Sequence, residues 1–276
     1  MSVYFNRKEE LKEKANKHYK EMEELLKEET AECVKNTTVY GGNGESVNAA
    51  AKRKEDKDMT DEMADTVEAI EKPEIFVDKL DSVKSMLQHR HGKTAILNFA
   101  SYKNPGGKFM EGSSAQEECL CHASNIYNVL RRFPDYYEWN KKHNNRALYT
   151  NRALYSEDVI FFDDSVCVYG ADPEQVRADV ITCAAGKYAN VELDENNAEL
   201  FRRIKFVLDV AEENKVETLI LGAFGCGVFG QDAATVAKYF KKCLDTYDYH
   251  FKKVYFSILN RGKNDNYFEF KRILGK

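Results

Sequence analysis

AILNFASYKNPGGKFMEGSSAQEE, residues 95–118, runs from a short apolar segment through a Pro-Gly-Gly loop to two adjacent acids, Glu117 and Glu118. The apolar lead, AILNFA, has the length and branching of a buried strand. A second unit of the same kind lies downstream. There ETLIL, residues 217–221, opens into the glycine-rich turn GAFGCGVFG, residues 222–230. Around these two units the second half of the chain keeps a regular beat. ADVITCAAG reads as a strand with a small-residue turn, NAELFRRIKFVLDVAEENK as a helix, DAATVAKYFKKCLDTYD as a helix and FKKVYFSIL as a closing strand. Strands alternating with helices of about 15 residues predict a three-layer α/β domain with a mixed or largely parallel sheet. In such sheets ligands bind beyond the C-terminal ends of the strands, where both glycine-rich turns emerge.

The flanks are less regular. Residues 2–33 carry a Lys/Glu-rich helical pattern, NTTVY (36–40) reads as a strand, and GGNGES interrupts it. Residues 49–69 are charged with sparse apolar spacing, which suits an exposed helix or connection better than core. KPEIFVDKLDSVKSMLQHR gives an extended piece and then a helix. These features predict a mostly helical accessory region over residues 1–90, with 36–40 free to join the main sheet, and a core over 91–276. AQEECLCHASNIYNVLRRF predicts one helix that Ser113 or Ser114 is placed to cap. The polar and aromatic stretch from Asp135 to Asp158 predicts an excursion wrapped on the core. Its repeat, NRALY at 145–149 and again at 151–155, is far too short for a solenoid unit.

The chain has 276 residues, 43% hydrophobic and 32% charged, with a formal net charge of -5 in mixed-sign blocks. That composition belongs to a folded domain and argues against a duplex-wide nucleic-acid surface. The first twenty residues hold no apolar signal core and no run is long enough to span a bilayer, so a cytoplasmic protein with no membrane partner is expected. Seven scattered cysteines fit free thiols in a reducing compartment. Cys119, Cys121 and His122 are close in sequence, but thiols two positions apart on a helix point in different directions. Packing is the preferred reading and no metal is expected.

The chemistry-bearing residues follow from the loops. Gly106 and Gly107 permit positive φ and close backbone approach. Glu118 is the candidate general acid for cleaving a glycosidic bond, because an adjacent carboxylate opposes ionisation and favours a protonated form. Glu117 is placed to hold ribose hydroxyls and Gln116 to orient a partner. Equally, two acids at a helix start favour its dipole without any catalysis. Asn98, polar within an apolar run, needs a partner, which a ribose or a neighbouring loop supplies. GAFGCGVFG lacks the Lys-Ser/Thr of a triphosphate loop, and its spacing suits a diphosphate on backbone amides. Phe229 forms an aromatic wall or a core contact. Cys226 has no recognisable His-Asp partner for nucleophilic work.

NFASYKNPGGKFMEGSSAQEE followed by CLCHASNIY resembles the signature of the microbial, bacterial-type poly(ADP-ribose) glycohydrolases, which are macrodomain proteins. LGAFGCGVFG is similar to that family's phosphate-binding loop. TTVY, the tyrosine-rich middle, DVITCAAG and KKVYFSIL extend the resemblance over most of the chain from about residue 30. The resemblance implies a macrodomain-like fold and hydrolysis of the terminal ribose–ribose O-glycosidic bond with release of ADP-ribose. It makes Glu118 the catalytic acid and Glu117 the ligand of the scissile-side ribose. Asn98, Gly106, Gly107, Lys108, Gln116 and Gly225 to Phe229 then line the substrate. It implies no cofactor, and as partners ADP-ribose or an ADP-ribosylated polymer, protein or nucleic acid, acted on by a monomer. Mono-ADP-ribosyl hydrolysis and binding without turnover are the alternatives. One departure stands out: Lys108 occupies the place of the family's third loop glycine.

Overall fold

The computed structural model describes residues 2–42, 71–162, 176–189, 191–259 and 265–275, so the charged stretch 49–69 lies outside the described residues. Seven strands form one mixed sheet in the order β1-β4-β5-β3-β6-β7-β2. They are β1 (Thr38–Gly41), β2 (Glu74–Asp78), β3 (Thr94–Phe99), β4 (Arg152–Ile160), β5 (Arg177–Cys183), β6 (Thr218–Leu221) and β7 (Lys253–Ser257). β5, β3, β6, β7 and β2 run parallel, while β4 is antiparallel to both β1 and β5. The expected mixed α/β, macrodomain-like architecture is thus confirmed. Both edge strands come from the first 90 residues.

Helices cover both faces. On one side α7 (Leu193–Glu213), α8 (Ala233–Thr246) and α9 (Asn266–Leu274) bury Ile204, Val207, Phe240 and Phe270 against Ala95, Leu97 and Leu219. The other side carries α1 (Ser2–Leu25), α2 (Lys27–Lys35), α3 (Ser82–His89), α4 (Gln116–His122), α5 (Ile126–Leu130) and α6 (Pro134–Lys142). There Ala15, Phe109, Leu120 and Val129 pack on Ile96, Val180 and Ile220. The two-residue strand period decides which neighbour each β3 side chain meets. Ala95 and Leu97 face α7 and α8, whereas Ile96 and Asn98 face α4.

Several local expectations change. The N-terminal helix breaks at Leu26, whose φ of -121° and ψ of 37° are not helical. The single helix expected over residues 115–133 is two. Asn125 N–H donates to the Ile160 carbonyl while the Asn125 side chain accepts from Ile160 N–H and donates to Thr30, and Ser124 bridges to Phe161. Together with the bond from Phe162 N–H to the Ala123 carbonyl, those contacts draw Ala123, Ser124 and Asn125 to the β4 terminus and out of helical register. Ala115, not Ser113 or Ser114, occupies the N-cap of α4, without a side-chain bond. The wrapped excursion holds only to about residue 151; Ala153, Leu154 and Tyr155 are fully buried in β4, deep in the sheet. The first NRALY copy is a loop with positive φ at Asn145, Arg146, Ala147 and Tyr149, and the second is strand.

Candidate active site

The C-terminal ends of β3, β5 and β6 meet at one rim, and the start of the antiparallel β4 reaches the same end. From β3 the chain turns through Ser101–Gly107, makes a short 3-10 turn at Phe109–Glu111 and enters α4 with Gln116, Glu117 and Glu118 in its first turn. Gln116 fixes that entry. Its Oε1 accepts from Phe99 N–H at 2.8 Å, and its Nε2 donates to the Leu97 carbonyl at 2.9 Å and to Ser82 at 3.2 Å. Its amide therefore ties α4 to the end of β3, and both polar atoms are engaged there.

Glu117 and Glu118 are both buried, 4% and 6% exposed, which is rare for carboxylates without a cation. Glu117 Oε2 accepts from Ser101 N–H at 2.7 Å, and its Oε1 lies 3.5 Å from Asn98 Nδ2. Asn98 also reaches its cross-strand partner Thr182 at 3.4 Å. Glu118 Oε1 accepts from Lys108 N–H at 2.9 Å. Glu118 Oε2 and Asn98 Oδ1 are buried without a hydrogen-bond partner among the described residues. Burial is the largest cause that drives the Glu117 pKa up to about 8. The Glu118 charge adds to the rise, and bonds from Ser101, Asn98 and Gly106 oppose it. Glu117 therefore keeps a proton near neutral pH.

The loop glycines have a steric reason. Gly107, at φ +60°, roofs the two acids: a Cβ there would stand 2.7 Å from Glu118 Oε1 and 2.8 Å from Glu117 Oε2. A Cβ on Gly106, at φ +65°, would stand 2.5 Å from the Tyr127 ring and 3.1 Å from Cys121 Sγ. Lys108 has φ -111°, a conformation open to any L-residue, so lysine in place of glycine costs no backbone strain. It lines a groove together with Arg7, Lys8 and Leu11 of α1.

The second loop is open. Gly225 and Gly230 have positive φ, and nothing lies within 4 Å of a Cβ placed on Gly227. Val228 is 84% exposed. The amides of Gly225, Gly227, Val228 and Phe229 have no acceptor among the described residues. Four free donors on one short turn leave N–H groups available to an anion. Gln231 holds the turn in place, donating to the Gly186 carbonyl at 2.7 Å and exchanging bonds with Asn196. Phe224 is core, while Phe229 is half-buried beside Tyr149, their ring centroids 6.0 Å apart. Burial pushes the Cys226 thiol up to about 12, so it stays protonated and is a poor nucleophile.

Sequence reasoning missed three supports. Tyr102 and Tyr149 stack at 4.1 Å and continue the Phe229 wall. Arg203, 1% exposed, donates to the Ala184 and Leu148 carbonyls and to Asn151. On the far side of Gln116, Phe99, Ala223, Ile258 and Leu259 line an apolar pocket of about 180 Å³ rimmed by Asp81 and Asn266. The helical spacing of Arg203 and the aromatic content of the middle segment were visible, but their partners are remote in sequence. Among the described residues no three His, Cys, Asp or Glu side chains group as metal ligands, and no helix is long and apolar enough to cross a membrane.

Residues 8–164 match the family model described as microbial-type PARG, catalytic domain. Among solved structures, poly(ADP-ribose) glycohydrolase from Deinococcus radiodurans in complex with ADP-ribose is 33% identical, covering 72% of this chain and 82% of that one, with a TM-score of 0.65. A second crystal form of that complex is 29% identical over 88% and 95% of the two chains, with a TM-score of 0.71. Poly(ADP-ribose) glycohydrolase from Thermomonospora curvata shares the fold at 23% identity, covering 96% and 100%, with a TM-score of 0.78. No curated protein matches the chain. With a family model spanning more than half of its length and a relative at 33% identity, the chain belongs to the microbial-type PARG catalytic-domain family.

Proposed function

We propose that the protein is a metal-independent poly(ADP-ribose) glycohydrolase that cleaves the terminal ribose–ribose O-glycosidic bond and releases ADP-ribose. The observation that carries this reading is the pair of buried carboxyls, Glu117 and Glu118, pinned beneath Gly107 and set on the same rim as a turn of free amides. The diphosphate lies on the amides of Gly225, Gly227, Val228 and Phe229, with Cys226 closing the turn through its own N–H to the Ala223 carbonyl and Phe229 flanking the ribose. The base enters the apolar pocket beside Phe99 and Ile258. Asn98 and Glu117 take hydroxyls of the scissile-side ribose, and Gly106 and Gly107 close the loop over it. Gln116 acts by bracing the acids rather than by touching the sugar. We place the catalytic core in residues 91–276, with the first 90 residues supplying edge strands and the α1 wall.

Glu118 is favoured as the acid because its Oε2 has no partner among the described residues, whereas both Glu117 oxygens are engaged. A proton held by the adjacent carboxyls passes through Glu118 to the leaving ribose oxygen as the C–O bond breaks. Water adds to the anomeric carbon and returns a proton to Glu118, so the enzyme ends unchanged. Glu117, neutral by burial, donates to a hydroxyl and stores a proton next to the acid.

Glu118→Gln tests the assignment. Its shape and hydrogen-bonding reach persist, so ADP-ribose still binds, but kcat falls by ~100- to 10,000-fold, the usual worth of acid–base assistance. Release of ADP-ribose from automodified protein is measured beside calorimetric affinity and turnover in EDTA. Near-normal turnover of the variant removes Glu118 from the mechanism, and metal-restored activity overturns metal independence.

A further inference from the structure

A groove of about 560 Å³ opens between the first turns of α1 and the segment leading into α4. Arg7, Lys8 and Lys108 line it together with Glu111, Ser113 and Ser114. Its volume falls within the range of small-ligand clefts. Three cations face one acid, on a protein whose formal net charge is -5. None of the three cations has an ion-pair partner among the described residues, although neighbouring Lys12 pairs with Glu9. One residue links the groove to the chemistry: Lys108, which lines it, donates its backbone N–H to Glu118 at 2.9 Å.

We propose that this groove is a subsite for the diphosphate of the next ADP-ribose unit, on the leaving-group side of the scissile bond. The inference rests on the glycohydrolase reading above and adds a substrate preference to it. When a terminal unit is cut from an ADP-ribose chain, the leaving oxygen belongs to the ribose of the preceding unit, and that unit's diphosphate follows one sugar away. A fixed dianion therefore accompanies every polymeric leaving group. ADP-ribose attached to a neutral group offers none. Lys108, which lines the groove together with Arg7 and Lys8, is bonded through its own N–H to the acid that protonates the leaving oxygen, and the groove is therefore assigned to the leaving-group side. The groove thus favours polymer over singly modified acceptors without altering the catalytic carboxyls.

Arg7 and Lys8 are exposed on a helix and glutamine is well tolerated there, so the double variant Arg7→Gln/Lys8→Gln tests the subsite without disturbing the core. Release of ADP-ribose is followed from a polymer of defined length and from an ADP-ribosyl 4-methylumbelliferyl ether, whose leaving group is uncharged. At low salt kcat/KM for the polymer should fall about five- to tenfold, as expected for two partly screened charge contacts, and the loss should fade as salt rises. The ether should be cleaved as before and free ADP-ribose should bind as before, since neither reaches the groove. Arg7→Glu/Lys8→Glu should deepen the polymer defect, and Arg7→Lys should leave polymer turnover intact. Unchanged polymer turnover in the glutamine variant, or equal slowing of both substrates, overturns the subsite. A parent protein that cleaves neither substrate overturns the glycohydrolase reading itself.

Discussion

The Glu117 carboxyl ionises near 4.5 in an unfolded chain and near 8 in the native protein, and desolvation is the larger reason, ahead of the charge on Glu118. Between those values the native state binds the extra proton. Stability is therefore greatest below pH 4.5 as far as this group is concerned, falls as pH rises towards 8, and is level above it. Glu117→Gln removes that slope, and denaturant titrations from pH 5 to 8 should show the variant gaining on the parent by an order of a few kcal/mol at the alkaline end. The same substitution should weaken ribose binding as well as rate. A slope unchanged in the variant would mean that another group carries the proton. At this scale the sequence was readable where chemistry is local: adjacent acids after a glycine loop are visible in any register. The reason for the glycines was not readable. Gly106 and Gly107 clear room for Tyr127, Cys121 and the acids, contacts that exist only after α4 and α5 fold back.

Arg203 sets the geometry of a whole segment. Its guanidinium is buried and holds two carbonyls, one after β5 and one in the loop of residues 144–150, where four non-glycine residues have positive φ. Strain of that kind persists only where the surroundings over-determine it. Here the further ties are the Arg146–Glu195 ion pair, Lys187 N–H to the Ala147 carbonyl, and the Tyr102–Tyr149 stack. Arg203→Met keeps most of the volume but strands buried carbonyls, so a loss of ~2–4 kcal/mol is expected. Faster amide exchange at Lys187 should accompany it, and ADP-ribose affinity should fall because Tyr149 supports Phe229. Full stability in the variant would show that the loop holds its shape without the guanidinium. The NRALY repeat explains why this element was not legible beforehand. Identical pentapeptides become a strained loop and a buried strand, so local preference is overridden by what each copy packs against. Ala153 and Tyr155 find the sheet core, while Ala147 and Tyr149 find the rim.

In the molecule as a whole, the two faces of the sheet differ in kind. α7 and α8 are long and periodic, and the alternating pattern of the second half announced them together with β5, β6 and β7. On the opposite face the long α1 lies over short helices interrupted by side chains that bond to the strand ends, and this face carries the acids. Strand order was the least legible feature. β2 pairs with β7 across 179 residues of sequence, Ser257 reaching Asp78, and no local pattern encodes such a pairing. α1 belongs to this non-local part: His18 contacts Phe109 edge-on and bonds to the Ser124 carbonyl. A chain lacking residues 2–25 should uncover Phe109, melt several degrees lower and lose turnover. Unaltered melting would mean that the helix rests on the core without stabilising it.

Gly112 brings α1 and the catalytic segment together more closely than any side chain would allow, since a Cβ there would lie 2.2 Å from the Lys8 carbonyl. The segment that leads into α4 is therefore backed by a wall outside the sheet, a helix that meets it backbone to backbone. Such a wall is a replaceable part. Exchanging only the outward residues of its first three turns for those of a relative should transplant leaving-group preference while the acid, the amide turn and the base pocket stay as they are, and a bulky fusion at the N-terminus should be felt at the scissile bond before it is felt anywhere else.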